Sequence, residues 1–430
     1  MNRRKFLKNM LGTGLAAGSG LAFGPLLNPL AHADHAGDGT RRPTLVVIFQ
    51  RGGCDGLNTV VPFGDTEYYN LRPTIGIAEP NPNDPLSALL LNDPLGNHQD
   101  FFGLHPGLAD LHSIYNAGDM AVMPAVHYPN NSHSHFASQD FIETGAQNRE
   151  LDGWLNRHLA TVQANAQLQA VHFGGSLSKA LRGDVPVQSF SFINNFNLGL
   201  GSQDETLLTN TVLPVYNATP QNPTEYQQLV HQYGEVLFNN LSVANSIDTG
   251  SYVPENGAVY PGGSYGRRLR ETAQLIKSDV GLELVTVDIG GWDTHSGQGG
   301  GESGGRQSRR FREFAGGINA LYTDLGERMD DVIILTMTEF GRTAKENGSA
   351  GTDHGNASSW FMVGRNINNG IHGAWPGLSS TELARGRFLD FSINYRDVMG
   401  DILIGHMGHT PASVASLIPG HTYQPVGLFG

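Results

Sequence analysis

The chain has 430 residues, of which 39% are hydrophobic, and carries 27 basic against 40 acidic side chains. Its formal charge is −13; removing the four cations within the first 33 residues leaves −17 for the remainder. Such acidity argues against nucleic acid and anionic membrane surfaces as partners. The single cysteine, Cys54, excludes an intramolecular disulfide.

The chain begins with a pattern typical of an export signal. Twin arginines at Arg3 and Arg4 precede an uncharged Gly-, Ala- and Leu-rich stretch over 10–30, and AHA at 31–33 has the form of a cleavage site. The pattern predicts a twin-arginine (Tat) signal over residues 1–33 and a periplasmic or secreted protein. Gly, Ser, Pro and Asn interrupt the apolar stretch, which makes a membrane anchor the weaker alternative. We therefore expect no stable membrane insertion after cleavage.

The first predicted strand leads into a glycine-rich turn. The continuous apolar run over 44–49 is typical of a strand buried on both faces. Glycines then surround Arg51 and Asp55, and they would let the backbone approach an ion or anion to which Asp55 presents its carboxylate. A plain Asp-Gly turn explains the same residues equally well.

A serine and several histidines follow the second predicted strand, 120–126, at the start of a helical pattern over 136–143. The default role of such a serine is to cap the helix. The same position offers unpaired N–H groups and the positive end of the helix dipole, which stabilise an anion. A cap does not require the neighbouring histidines. Ser134 is therefore the best nucleophile candidate, with Ser132 as a weaker one and His135 as a second catalytic candidate.

The middle of the chain is less informative. A short strand over 170–173 and helices over about 223–246 and 265–277 are predicted. The Asn-, Gly- and Thr-rich part over 194–222 favours an excursion from the sheet, within a candidate cap at about 175–262. No linker divides the chain, so we predict one domain over 34–430 that includes this cap.

A third strand, predicted over 282–289, runs through two glycines into Asp293 and His295. Residues at i and i+2 of an extended chain point to the same side, which suits joint coordination of one ion. A surface turn is the alternative interpretation. The glycines and Trp292 nevertheless favour a functional role.

The fourth predicted strand, 332–336, ends at Glu339 and Arg342, and a Gly-, Ser- and Asn-rich loop then leads to Asp353 and His354. The alternation of helices and apolar runs predicts a doubly wound α/β sheet with mostly parallel strands. Ligands of such sheets bind beyond the carboxyl ends of the strands. We therefore expect the polar groups after all four strands to meet at one edge.

Five motifs in order, RGGCDGLNTVVP, SHSHF, GGWDTH, TMTEFGR and GTDHG, resemble the Tat-exported domain of unknown function 1501 family. That family belongs to the alkaline phosphatase and sulfatase superfamily, and the resemblance spans nearly the whole chain after the signal. It implies an alkaline phosphatase-like, three-layer α/β/α sandwich. It also implies hydrolysis or transfer of phosphate or sulfate esters at a pair of divalent metals.

By this resemblance, Ser134 corresponds to the nucleophile. The side chains corresponding to metal ligands are Asp293, His295 and His354 for the first ion and Asp55 and Glu339 for the second, with Asp353 as a further candidate. Arg51 or Arg342 would clamp the equatorial oxygens of the substrate. Because carboxylates and imidazoles are mixed, zinc or manganese fits better than calcium, as one or two ions.

The sequence departs from the superfamily pattern in four places, and one of them is that Asp55 lies several residues beyond the strand end instead of at it. Asp293-x-His295 replaces an Asp-x-x-x-His pair, and Phe340 stands where a histidine follows the acid, which removes a nitrogen ligand from the second metal. Cys54 lacks the following Pro and Arg of a formylglycine site, which argues against type-I sulfatase chemistry. One metal is therefore more strongly supported than two.

Two alternatives to an enzyme acting on an anionic ester, small molecule or polymer, remain open. The chain would be a binding or assembly protein that acts with a co-encoded exported partner on a cell-surface polymer. Otherwise it would be a serine hydrolase with Ser134 as nucleophile and a nearby histidine as base. The lack of a G-x-S-x-G motif after a strand ranks the second alternative low.

Overall fold

The computed structural model describes residues 42–129, 132–146, 152–162, 168–196 and 223–430 apart from 248, together with helical residues 207, 210–212 and 214. The predicted signal and most of the Asn-rich excursion lie outside these residues. Within the described part, no helix combines the length and the apolar character needed to cross a bilayer.

Nine described strands form the central sheet. In chain order they are β1 (Thr44–Arg51), β2 (Met120–His127), β3 (Ala170–Phe173), β4 (Gln188–Phe190), β5 (Leu284–Gly290), β6 (Val332–Met337), β7 (Ser358–Val363), β8 (Gly370–Ile371) and β9 (Ile393–Asn394). Their order across the sheet is β8-β2-β7-β6-β1-β5-β3-β4, and β9 also pairs with β2. The described pairings are parallel except those of β7 with β2 and β6. A separate small sheet joins Val60–Val61, Leu89–Leu90 and Gly103–Leu104.

The described α-helices are α1 (Gly56–Thr59), α2 (Thr66–Leu71), α3 (Ala109–Ala117), α4 (His135–Thr144), α5 (Trp154–Leu159), α6 (Glu225–Ser246), α7 (Ser264–Lys277), α8 (Arg306–Leu325), α9 (Tyr395–Gly405) and α10 (Pro411–Leu417). Short 3₁₀ helices cover Pro106–Leu108, Lys179–Leu181, Ile193–Asn195 and Gly326–Asp331.

Helices cover both faces of the sheet. In β1, Val46 and Ile48 pack into one apolar cluster with α3, α7 and α8, whereas Leu45 and Val47 pack into another with α5, α9 and α10. Alternate side chains of a strand point to opposite faces, so a strand between two helical layers needs apolar residues at every position. The predicted three-layer sandwich with a mostly parallel central sheet is confirmed.

The sheet brings the ends of four strands to one edge. β1, β5 and β6 are parallel neighbours, and β2 runs in the same direction because β7 is antiparallel to both β2 and β6. This arrangement places the loops after these strands side by side, as the strand pattern predicts. Within the candidate cap, residues 188–190 form β4 at the far edge of the sheet, so that part belongs to the sheet layer.

Candidate metal centre

Two loops at this edge are bonded to each other through their backbones. The N–H of Thr352 donates to the carbonyl of Thr294 over 3.0 Å, and the N–H of Gln298 donates to Ala350 over 2.8 Å. At Gly351 an added Cβ would lie 2.5 Å from the carbonyl carbon of His295, so this approach requires glycine. The loop after β5 and the loop before β7 therefore present their polar side chains together.

Three histidines in this region share one hydrogen-bonding arrangement. Each places Nδ1 against an outer oxygen: His135 against Glu339 Oε1 at 2.8 Å, His295 against Asp353 Oδ1 at 3.2 Å, and His354 against the carbonyl of His133 at 2.7 Å. Carbonyl and carboxylate oxygens only accept hydrogen bonds, so we assign the ring proton to Nδ1 in each case. With this tautomer, a neutral ring carries its lone pair on Nε2.

The Nε2 atoms point toward one carboxylate. Asp293 Oδ1 lies 3.0 Å from His295 Nε2 and 3.2 Å from His354 Nε2, and Oδ2 lies 3.6 Å from His135 Nε2. The two Nε2 atoms of His295 and His354 are themselves 3.1 Å apart. Ligand atoms of His135, Asp293 and His354 all fall within 4.8 Å of one another. We call these four residues the centre.

The donor set of the centre fits a divalent cation. Lone pairs on neighbouring ring nitrogens and a carboxylate repel one another unless a proton or a cation lies between them. Imidazole nitrogens with one carboxylate are a ligand set of zinc and manganese sites. The Asp293 side chain is 43% exposed and that of His295 is 46% exposed, so the centre is open to solvent.

Charges around the centre set its protonation. The hydrogen bond to Glu339 raises the pKa of His135, against the opposing effect of burial. Burial lowers the pKa of His354. Burial alone would raise the carboxyl pKa of Asp293, Asp353 and Glu339, but hydrogen bonds and charges outweigh it and all three lie below their ordinary values. Ionised carboxylates are therefore favoured throughout the site.

Glu339 and Asp353, which the sequence suggests as metal ligands, contact the Nδ1 atoms of His135 and His295, on the sides of the rings that face away from Asp293. Glu339 is fully buried, and its oxygens accept hydrogen bonds from His135, Gln139, Thr338 and the backbone N–H of Gly52 over 2.8–3.1 Å. Asp353 contacts the Nδ1 side of His295. Both carboxylates orient histidines, a role that commonly supports metal ligands.

Asp55 does not join the centre, contrary to the ligand role expected for it. It is buried, and its two oxygens accept hydrogen bonds from the Arg72 guanidinium over 2.6 and 2.9 Å. A third hydrogen bond, 2.5 Å long, comes from Gln298 Nε2. The charge of Asp55 is thus neutralised within the protein.

The two arginines expected to clamp the substrate have other partners. Arg51 pairs with Glu143 through both guanidinium NH groups and also bonds Asp288. Arg342 has a fully buried side chain and donates to Asp293 Oδ1 over 2.8 Å. Arg342 therefore positions Asp293, and neither arginine presents its guanidinium to a ligand as a substrate clamp requires.

Ser134 lies between His133, whose carbonyl contacts His354, and His135, which belongs to the centre. It is the exposed N-cap of α4, yet its hydroxyl makes no capping hydrogen bond. Its backbone N–H instead donates to Ser132 Oγ over 3.1 Å. Since His133 bonds His354 and His135 faces Asp293, the serine is placed at the rim of the centre.

Four buried residues that the sequence did not single out support the ligand loops. They are Arg72, Thr294, Gln298 and Thr352. Arg72 falls in a Pro- and Asn-rich stretch that indicates only a loop, and Gln298 lies in a run of glycines. Neither position carries a sequence signal for a supporting role.

Several solved structures are distantly similar to this chain. The protein is similar to Ps i-CgsB in complex with k-i-k-neocarrahexaose, with 9% identity, 89% of this chain and 75% of that chain covered, and a TM-score of 0.38. A protein in the alkaline phosphatase superfamily from Vibrio parahaemolyticus is 10% identical, with 85% of this chain and 66% of that chain covered and a TM-score of 0.36. The phosphonate monoester hydrolase of Agrobacterium radiobacter is 10% identical, with 89% of this chain and 79% of that chain covered and a TM-score of 0.32. None of these three TM-scores reaches 0.5, so the residues of this chain must carry any functional conclusion.

A search of curated proteins finds no match. A family model, described as "Protein of unknown function (DUF1501)", matches residues 42–408. This range includes β1 to β9 and every residue of the centre. The chain therefore belongs to the DUF1501 family of proteins of unknown function.

Proposed function

We propose that the chain is a metal-dependent hydrolase or transferase of phosphate or sulfate esters, with Ser134 as nucleophile. The observation that carries the proposal is the arrangement of three histidines around Asp293. Each ring has its Nδ1 held from behind and its Nε2 directed inward. Three held rings and one carboxylate form a ligand set in which even the closest ring nitrogens, the Nε2 atoms of His295 and His354 at 3.1 Å, lie beside Asp293 Oδ1.

Asp293, His135, His295 and His354 would hold the ion, zinc or manganese. When bound, such an ion supplies a Lewis acid that polarises an ester oxygen. Arg342 holds the Asp293 carboxylate in position from a fully buried site. Because the mature chain is acidic, the centre itself has to supply the attraction for an anionic ester.

The start of α4 supports Ser134 as the nucleophile. Unpaired N–H groups at a helix N-terminus stabilise a developing alkoxide. His133 is the candidate acceptor of the serine proton. Its Nε2 contacts Asn356 Oδ1 at 3.0 Å and is therefore the protonated nitrogen, which leaves Nδ1 as an acceptor.

The setting proposed for this activity follows from the N-terminal pattern and the resemblance. The chain would be exported through the Tat pathway and work in the periplasm or outside the cell. Its substrate would be an anionic ester, either a small molecule or part of a polymer. A co-encoded exported protein is the proposed partner.

Elemental analysis combined with an ester panel tests the proposal. Purified wild type would be assayed on aryl phosphate, phosphodiester and sulfate esters with and without EDTA, beside Asp293→Ala and Ser134→Ala. We expect wild type to contain metal and to turn over at least one ester class in a chelator-sensitive way. Asp293→Ala should lose metal and activity, and Ser134→Ala should keep metal but lose turnover.

Other outcomes support the alternatives. Metal without turnover of any ester would favour a binding or assembly protein. Turnover that ignores chelators but is blocked by a fluorophosphonate would favour a serine hydrolase. Normal metal binding by Asp293→Ala would contradict the assignment of the centre.

A further inference from the structure

We propose that the centre binds a single ion, because the guanidinium of Arg72 takes the place of a second cation, and that Asp55 acts on the centre as a positioning residue. This inference rests on the metal centre of the proposed function. It goes further by assigning the number of ions and by giving roles to residues outside the ligand set.

The pairing of Asp55 with Arg72 leaves no room for a second ion. Both residues are 1% exposed, and the guanidinium meets the carboxylate edge to edge, with two parallel hydrogen bonds. Such bidentate pairs are among the strongest charge-assisted contacts in proteins. A metal ligated by Asp55 would have to displace Arg72 and leave a buried positive charge unpaired.

Other bonds fix Arg72 in this position. Its Nε donates to the carbonyl of Ala344 over 2.9 Å, one terminal nitrogen donates to Thr343 over 3.0 Å, and the other donates to Asn58 over 2.6 Å. The guanidinium therefore cannot move aside for an ion without breaking contacts to several segments. A cation covalently attached to the chain fills the position permanently.

The second carboxylate expected to bind that ion, Glu339, is also occupied by hydrogen bonds within the protein. Glu339 Oε1 accepts from His135, Gln139 and the Gly52 backbone, and Oε2 accepts from Thr338. It is fully buried. Neither Asp55 nor Glu339 therefore has the accessible oxygen that a metal ligand needs.

Asp55 reaches the centre through the amide of Gln298. Gln298 Nε2 donates to Asp55, and Oε1 accepts from the hydroxyls of Thr294 over 2.7 Å and Thr352 over 2.9 Å. Thr294 lies between Asp293 and His295, and Thr352 lies two residues before His354. One amide thus bonds to both ligand loops.

The carboxylate determines which way this amide faces. An ionised Asp55 only accepts hydrogen bonds, so the NH₂ group of Gln298 must face it and the oxygen must face the threonines. Thr352 Oγ1 in turn accepts from Arg342 Nε over 3.2 Å, and Arg342 holds Asp293. The spacing of the ligand loops is therefore fixed by five residues: Arg72, Asp55, Gln298, Thr294 and Thr352.

Counting ions on the wild-type chain tests the first part directly. The purified protein would be analysed for metals, stripped with EDTA, and titrated with Zn²⁺ and separately with Mn²⁺ while bound ion is measured. One ion per chain is expected. Two tightly bound ions would overturn this inference and leave the proposed function intact, whereas no bound ion would overturn both.

Substitution of Gln298 tests the positioning role. Gln298→Met keeps the size of the side chain and leaves the Asp55–Arg72 pair in place, but it removes all three hydrogen bonds of the amide. We expect one ion still to bind, about 10- to 100-fold more weakly, as when a residue that supports a metal ligand is lost. Gln188→Met, at a buried glutamine on the edge strand β4, is the matched control and should bind as wild type does.

Asp55→Asn separates the two roles of the carboxylate. If Asp55 positions Gln298, the variant keeps one ion with weakened affinity. If Asp55 is itself a ligand, wild type binds two ions and the variant loses one, with the other unaffected. Thermal melting of each variant confirms that affinities are measured on folded protein. Unchanged affinity in folded Gln298→Met would overturn the positioning role.

Discussion

Two clusters of histidines and carboxylates lie at opposite ends of the strands of the central sheet. The centre lies beyond the carboxyl ends of the strands. The other, which we call the amino-edge cluster, consists of His158, Glu283 and His409, and Glu283 directly precedes β5. In that cluster, His158 Nδ1 lies 2.7 Å from His409 Nε2, and His158 Nε2 lies 2.9 Å from Glu283 Oε1.

The difference between the clusters is how the ring nitrogens are used. His158 is completely buried and engages both nitrogens with neighbours on opposite sides of its ring. In the centre, each histidine uses Nδ1 on an outer oxygen and turns Nε2 toward Asp293. The same residue types thus form a structural cluster in one place and a candidate ligand set in the other. Composition alone does not distinguish them.

The largest effect is expected from Asp293→Asn. The change removes the one ligand charge on which all three histidines converge, but it keeps an oxygen for Arg342. We expect loss of the ion and a fall in activity on the order of 10³-fold, because Lewis-acid catalysis supplies several kcal/mol. Metal analysis and ester kinetics measure it. A loaded and active variant would show that the two clusters do not differ in the way described.

A smaller effect is expected from Glu339→Gln, which weakens the hold on His135. Ion affinity should fall about 10- to 100-fold, as for other residues behind a metal ligand. Glu339 raises the pKa of His135. As the pH falls, protons therefore begin to compete with the ion for His135 at a higher pH in wild type than in the variant. In the variant that competition should begin at lower pH. Ion dissociation constants measured from pH 5 to 8.5 would reveal the shift, and identical pH profiles would contradict it.

The amino-edge cluster should respond in stability instead of ion binding. Burial would raise the pKa of Glu283, but the hydrogen bond from His158 outweighs it and the pKa is lowered. A lowered carboxyl pKa contributes stability above the unfolded value of about 4.3, which is lost as pH falls through the folded value. Glu283→Gln should therefore cost about 1–3 kcal/mol at pH 7 and less in acid.

Denaturant unfolding at pH 7 and near pH 3.5 measures this cost. The ion content of Glu283→Gln should equal that of wild type, because no ligand is touched. A variant that loses its ion without losing stability would reverse the assignment of the two clusters.

The smallest effect is expected at the rim of the centre. Phe136 follows His135 and is 80% exposed. Phe136→Ser removes almost no buried surface, so the free energy of unfolding should change by less than about 0.5 kcal/mol. Denaturant unfolding measures the change. A larger loss would mean that the rim contributes packing as the amino-edge cluster does.

Strands buried on both faces could be predicted well from the sequence. The predicted strand over 170–173 coincides with β3, and 120–126 differs from β2 by one residue at its end. Both strands are buried at every position because helices cover both sides, and within β3 only His172 interrupts the apolar run. β7 was not anticipated, although it separates β2 from β6 and runs against them. A strand order of this kind depends on contacts between distant segments, which local patterns do not record.

The site was predictable in its location but not in its detailed contacts. The strand pattern brings Asp293, His295 and His354 to one edge, and the structure places them in contact. Nothing in the sequence indicates that Arg72 neutralises Asp55, since a Pro- and Asn-rich stretch does not show which buried acid its arginine will meet. Nor does residue type show that Glu339 lies behind a histidine, because a shift of a few ångströms separates a ligand from its support.

The distribution of the ligands along the chain constrains when an ion can be captured. If the centre binds an ion as proposed, the complete ligand set exists only in the folded chain, because the sheet brings together the α4 histidine, the loop after β5 and the loop before β7. A protein that matures in this order takes its metal from whichever compartment it folds in. If the chain crosses the membrane already folded, the metals available in the cytoplasm, and not those outside, would determine the identity of the ion.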